Sequence, residues 1–495
     1  MRFVSPLLLA ALLAAAPEAA AQDASRVAVQ AETAALTSAD AAQGDILGYD
    51  VALSGDRALL GATAADPAGE SSGAAYVFHR TEAGWAEEAK LVPDDAAAGD
   101  YFGVAVALDA DRALVGGTHH DGQRGAAYVF QRTASGWAQE AKLPVPGAAG
   151  DHAGVSVALR GDRAVVGADK AGGTGAAYVF QRTASGWALD ATLAAPGAEA
   201  GDGFGWSVDL SDTHVAVGAY GRDSGRGAAY VFDAATGALA RTFTAPDADA
   251  GDNLGIGVAL DGDRLVAGAP FDDQAGDDAG AAYVFPLDGG APTKLTSPEG
   301  AAGDYFGWSV ATRGGRALVG ARLDDSGVRN GGAAVLFTHA ASGWTPEAKL
   351  VGETTASASA GVSVALGDAE ALVGAPYHDV SRGVAHVFTL ARSTNAEAVP
   401  EAALTLGVAP NPLADRARVT FALPEAGHVR AAVYDLLGRE VAVLADAPSG
   451  PGAQSLQLDG ARPRGPGDLH RRRGCWRGQA GAVKEAGCTP RRRPP

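Results

Sequence analysis

One unit of about fifty residues recurs seven times between residues 44 and 390, and a good copy, GDYFGVAVALDADRALVGGTHHDGQRGAAYVFQRTASGWAQEAKL, runs from Gly99 to Leu143. Inside each copy, apolar residues alternate with small or polar ones in short runs, the two-residue period of a strand. In the good copy those runs are FGVAVAL (102–108), RALVGG (112–117), GAAYVFQR (125–132) and WAQEAKL (137–143). Four short strands repeated at this period specify an all-β, seven-bladed β-propeller, one copy to a blade and strands a to d in chain order.

The strand count also says how the ring closes. Strands a, b and c each occur seven times, but strand d follows c only six times, because the repeat ends after Phe388. The missing run lies upstream, where QAETAALTSADAAQGD (30–45) aligns with EEAKLVPDDAAAGD (87–100). The N-terminal segment is therefore expected to supply the outer strand of the last blade and so to remove an open edge.

Glycine marks two points in each copy. The set Gly48, Gly103, Gly154, Gly205, Gly255, Gly307 and Gly361 opens strand a, where crowding at the central channel is expected to exclude a side chain. A second set, including Gly61, Gly167 and Gly374, closes strand b, where neighbouring backbones should approach closely. Tyr76, Tyr128, Tyr178, Tyr230 and Tyr283, each followed by Val-Phe, read as core between blades.

The chain also carries export signals. Residues 1–21 have a basic start at Arg2, an apolar run from Leu7 to Ala16 and small residues up to Ala21, which places cleavage between Ala21 and Gln22. That run is too short to cross a bilayer, and no later stretch approaches the required length, so no transmembrane segment is expected. The last 35 residues hold ten basic and two acidic side chains, leaving 56 acidic against 29 basic in the rest. So acidic a body repels nucleic acid and anionic lipid. The only cysteines, Cys475 and Cys488, lie in that basic tail, so packing rather than disulfides must hold the ring together.

The Phe-Gly start and Gly-Ala or Gly-Ala-Pro end of each copy (Phe102-Gly103, Phe204-Gly205, Phe306-Gly307; Gly268-Ala269-Pro270, Gly374-Ala375-Pro376) resemble the FG-GAP repeat, the blade unit of the integrin α-subunit propeller. The continuation into Tyr-Val-Phe and Gly-Trp is similar to the shorter bacterial variety found in exported proteins. The integrin-type repeat often carries a calcium loop between strands a and b. Here that loop has shrunk to hairpins such as Asp109–Arg112 and Asp261–Arg264, too short to wrap six to eight oxygens around calcium. No cofactor is expected.

Two acidic sets fall in loops at one end of the blades. Asp66, Asp121, Asp223, Asp273, Asp325 and Asp379 lie in the b–c loops, five residues after the strand-b glycine; Asp45, Asp100, Asp151, Asp202, Asp252 and Asp304 lie between blades. The first set is the candidate acidic binding face, suited to a cation or a basic partner, though aspartates in such loops also bond their own backbone. His119-His120-Asp121 is the densest group of candidate chemistry, but no sister copy repeats it. Arg160-Gly161-Asp162 spells an adhesion tripeptide at the turn that reads SGD or DGD elsewhere. Trp85, Trp137, Trp187 and Trp344 open strand d at the opposite end and read as turn packing. No serine-nucleophile, phosphate-loop or zinc spacing occurs. Strand a supplies mostly Gly, Val, Ser and Ala, which predicts a plain channel.

After a linker at 391–402 the pattern changes, and residues 403–460 alternate like a small β-sandwich. Pro410-Asn411-Pro412, the Phe421–Pro424 strand end and Val433-Tyr434-Asp435-Leu436-Leu437-Gly438-Arg439-Glu440-Val441 resemble the C-terminal sorting domain of type IX secretion. That resemblance implies the type IX machinery as a partner and delivery to the cell surface or the medium. The match stops near Gly460, and 461–495 read as a disordered basic tail, a nucleic-acid-binding arm, or the product of a reading-frame slip in a GC-rich gene. Taken together, the expectation is a non-catalytic module for binding or adhesion whose partner is an extracellular protein or glycan. The alternative is a secreted propeller enzyme acting on a polysaccharide or another extracellular polymer.

Overall fold

The structure is a computed structural model that describes residues 27–325 and 327–390, together with strand backbones between 407 and 459. The leader with its Ala21–Gln22 junction, the linker and the tail from 461 onward lie outside the described residues. The chain divides into two units, Met1–Ala396 and Glu397–Pro495.

The first unit is a seven-bladed β-propeller. In blade 2 strands a to d are Phe102–Asp109, Arg112–Gly117, Ala126–Thr133 and Gly136–Lys142, within a residue of the runs seen in the sequence at each end, and each strand pairs antiparallel with the next. Blade 7 takes strands a to c from Val364–Leu366, Glu370–Ala375 and Val384–Thr389, and its outer strand is Ala34–Leu36, with Ala35 opposite His386. One further strand, Ala28–Ala31, runs parallel to Gly343–Val351 and makes blade 6 five-stranded. A single N-terminal segment thus ties blade 6 to blade 7.

Between neighbouring blades the same three devices recur. The first is apolar: a cluster of buried side chains fills each of the seven seams. In the seam of blades 1 and 2, Phe102, wholly buried, meets Tyr128 and Phe130 edge-on at 5.7 and 6.0 Å beside Leu59, Val77 and Leu91 of blade 1. Removing such a phenylalanine side chain costs about 3–5 kcal/mol. The second is steric: a Cβ on Gly61 would stand 1.9 Å from the carbonyl oxygen of Gly103. The glycines that open strand a therefore answer the strand-b glycines of the preceding blade. It is the neighbouring blade that crowds them, not the channel as the sequence suggested. The third is a backbone latch. The residue two before each strand-a glycine is left-handed, as in Tyr101 (φ 51°), His152 (φ 57°) and Tyr305 (φ 53°), and in every blade but the fourth its N–H reaches the b–c loop of the preceding blade. Left-handed backbone costs a non-glycine residue roughly 1–2 kcal/mol, which this hydrogen bond and the packed seam offset.

Among the described residues the second unit has five strands in two antiparallel sheets, Gly407–Ala409 with Arg416–Leu423 and Gly452–Asp459, and Gly427–Tyr434 with Glu440–Ser449.

Candidate functional site

The seven strands a line a central channel of about 430 Å³. Where each strand begins, the residue after its glycine lines the channel mouth: Tyr49, Val104, Val155, Trp206, Ile256, Trp308 and Val362. The channel is therefore not plain. Three of these seven side chains are aromatic, one each from blades 1, 4 and 6.

The loops make the mouth lopsided by gathering further aromatic side chains where blades 5 and 6 meet. Phe271 meets Tyr305 at 5.2 Å and Trp308 at 6.4 Å between centroids, while Tyr220 meets Trp206 at 5.2 Å. Into the first group reaches Arg322, from the end of strand b in blade 6. Its guanidinium lies 3.7 Å from the Trp308 ring centre and 5.1 Å from that of Tyr305. Tyr49 and Tyr377 stand close enough to Arg322 to feel its charge. Burial pushes the guanidinium's affinity for its proton down, and the phenols of Tyr305, Tyr377 and Tyr49 offset this only in part. Its Nε is shut off from solvent without a hydrogen-bond partner, and among the described residues no carboxylate pairs with it. A guanidinium held flat on an indole is stabilised by about 1–2 kcal/mol where water is scarce, and its outward N–H groups stay free to donate.

Deeper in the channel the polar side chains serve the ring itself. Asp50 accepts from the amides of Val51 and Val106 and from the Ser363 hydroxyl; Asp209 accepts from Leu210 and Leu260. Burial raises both carboxyls above the usual range. Each thereby clamps its own strand a to the next. Ser156 and Ser309 do the same by donating to the carbonyls of Gly205 and Gly361.

The six candidate aspartates of the b–c loops lie around the outer rim of this end and are bound into their own loops in two ways. Asp66, Asp273 and Asp325 each accept the N–H five residues on, from Ser71, Asp278 and Asn330. Asp121, Asp223 and Asp379 begin a single left-handed turn, at φ 51°, 51° and 46°, and each pairs with an arginine three residues on, Arg124, Arg226 and Arg382. The interblade aspartates do not share that exposure. Asp45, Asp100, Asp202, Asp252 and Asp304 are buried, and each accepts the N–H three residues earlier, as Asp100 does from Ala97. The expected double ring is thus one exposed rim above a buried row of turn-holding carboxylates.

The remaining sequence candidates disperse. His120 bonds Asp100 at 3.0 Å, His119 stacks on His152 at 5.5 Å, and Asp121 points to Arg124, so the three do not converge. Arg160 pairs with Asp212 and Gly161 donates to Asp109, while Asp162 lies 3.6 Å from both Arg112 and Arg182, so the tripeptide is held in the hairpin network. Trp187 is buried, and Trp85, Trp137 and Trp344 pack against the seams. No group of three or more metal-ligating side chains occurs among the described residues. What sequence reasoning missed is the aromatic mouth; its signal was the one strand-a position that varies between Val, Ile, Tyr and Trp.

A family model described as FG-GAP repeat matches residues 31–78, 85–130, 137–180, 187–232, 239–285 and 291–337, over half of the chain. Each match begins at or near an outer strand and ends in strand c, and strands a to c of the seventh blade lie beyond the last. No curated protein matches. A solved chain titled "Crystal Structure of Mitotic Checkpoint Complex" is 14% identical, with 78% of this chain and 99% of that chain covered at a TM-score of 0.49, a likeness that bears on nothing further.

Proposed function

The chain belongs to the FG-GAP repeat family, and we propose that it is an exported, non-catalytic binding or adhesion module that holds its ligand at the aromatic end of the central channel. The observation that carries this is the gathering of Phe271, Tyr305, Trp308 and Arg322 around one side of the channel mouth. Large flat side chains with one unpaired cation, at the end of a closed ring, form a concave surface with convergent polar groups. The propeller is a fold often used for binding, and the partner would be an extracellular protein or glycan. The exposed Asp66, Asp121, Asp223, Asp273 and Asp325, with Asp379, would set the charge of the approach.

Export rests on the leader up to Ala21 and on the C-terminal segment similar to a type IX sorting domain, which would make that machinery a second partner in a bacterial host. A channel enzyme is the other reading. It would need free acid and base groups in the channel, whereas Asp50 and Asp209 each have both oxygens bonded.

A glycan and extracellular-matrix array tests the proposal. The expected result is binding by the native chain that Trp308→Ala abolishes while the melting temperature stays within a few degrees. Identical array profiles for both proteins would overturn it, as would polysaccharide or ester hydrolysis lost on a channel-facing substitution.

A further inference from the structure

Resting on the binding reading above, the geometry points to a saccharide that carries a single carboxylate as the ligand of the channel mouth, its carboxylate on Arg322 and its sugar ring against the surrounding aromatic side chains. Arg322 is the anchor. Its guanidinium is already oriented by the Trp308 ring 3.7 Å away, its surroundings are phenols rather than carboxylates, and no acidic side chain among the described residues neutralises it. An oriented guanidinium recognises a carboxylate through two parallel hydrogen bonds and loses little freedom in doing so. Among the described residues most other arginines are committed, Arg57 and Arg132 to Glu88, Arg160 to Asp212 and Arg313 to Asp368.

The rest of the mouth favours a sugar over a peptide. Tyr49, Phe271, Tyr305, Trp308 and Tyr377 offer flat apolar faces, and three of them end in hydroxyls. A pyranose has the complementary form, with C–H groups on its faces and hydroxyls at its edge. A peptide would instead bring amides that need backbone partners, and channel-side amides of strand a, those of Val106, Val258 and Leu260, already donate to Asp50, Ser207 and Asp209.

Charge limits the ligand to one carboxylate. The rim aspartates Asp66, Asp121, Asp223, Asp273 and Asp325 are exposed, and the body around them is strongly acidic. Such a surface repels a densely charged polyanion while leaving one local cation for an isolated acid, so selectivity comes from exclusion as well as attraction.

The test is calorimetric titration of the full chain with a trisaccharide whose only charged group is a terminal glucuronic acid and with the same trisaccharide ended by glucose. The uronate-ended sugar is expected to bind at least about tenfold more tightly. Arg322→Gln should erase that preference, Arg322→Lys should keep part of it, and raising the salt should weaken only the uronate. Tyr377→Ala, at an exposed position that the fold does not need, should weaken both sugars and guards against a folding defect in the arginine variants. Equal affinity for the two sugars, or a preference that survives Arg322→Gln, overturns the inference. An acidic peptide bound through Arg322 with no sugar bound overturns it while leaving the binding face in place. If Arg322→Gln, Tyr377→Ala and Trp308→Ala all leave every array ligand bound, both the inference and the binding face fall.

Discussion

A Cβ on Gly374 would stand 2.2 Å from the carbonyl oxygen of Gly48, although 326 positions separate the two in the chain. The contact is the one made by Gly61 with Gly103 and by Gly320 with Gly361, so the seam between the last and first blades is built like the others. The ring therefore closes without a special joint. Its closing strand, Ala34–Leu36, adds an outer edge to a seam already complete at the channel.

Substitution at these glycines should be costly in a way that depends on position within the pair Gly116-Gly117. A Cβ on Gly116 would come within 2.1 Å of the Gly154 carbonyl oxygen, whereas on Gly117 the nearest backbone lies at 3.4 Å. Gly116→Ala is expected to lose about 3 kcal/mol, since only backbone movement between blades relieves it. Gly117→Ala should be nearly neutral, because sister copies carry Ala there, as at Ala62 and Ala168. Thermal melts of the two variants check this.

Deleting residues 22–36 removes both N-terminal strands and exposes the Val384–Thr389 edge. The hydrogen bond from Thr33 to the Val387 carbonyl and the contact of Glu32 with buried His386 go with them. A lower melting temperature and concentration-dependent association are expected, from calorimetry and size-exclusion chromatography. A melt unchanged by the deletion would contradict the closure.

Stability should respond to acid in two opposed ways. Burial pushes the Asp304 carboxyl up to about 6 from 3.8, so the fold prefers its protonated form. Its contribution is full below the unfolded value and is lost as pH rises from about 4 through about 6; Asp304→Asn should flatten that decline. Asp40 behaves conversely. Burial raises its carboxyl, but hydrogen bonds from Lys90, Ser38 and Tyr76 together bring it down to about 2. That stabilisation is present above the unfolded value and disappears as pH falls from about 4 through about 2. Melting curves across pH 2–7 for native chain, Asp304→Asn and Asp40→Asn separate the two.

Chelation should leave the propeller's melting temperature within a degree or two. The a–b hairpins are too short to surround calcium, and rim carboxylates such as Asp66 and Asp273 already hold loop amides. A drop of more than a few degrees in EDTA would show these loops binding metal.

Much of this protein is legible along the chain. Blade number, strand order and the donor of the closing strand follow from a two-residue period, from paired glycines and from a count of outer strands, because each depends on residues near one another or repeated at equal spacing. The Tyr-Val-Phe motif announced the buried seams for the same reason, and Tyr76, Tyr128 and Tyr283 are all buried. Which side chains meet at the channel mouth is not local. Tyr49, Trp308, Arg322 and Tyr377 come from three blades, and only closure of the ring brings them together. In the same way, Asp66 and Asp100 look alike as loop aspartates, yet one is exposed on the rim and the other is buried beneath it. The sequence by itself determined the scaffold, since periodicity and glycine spacing act over short distances. Tertiary structure alone decided the site, since its charge, burial and aromatic contacts arise between segments that the chain holds far apart.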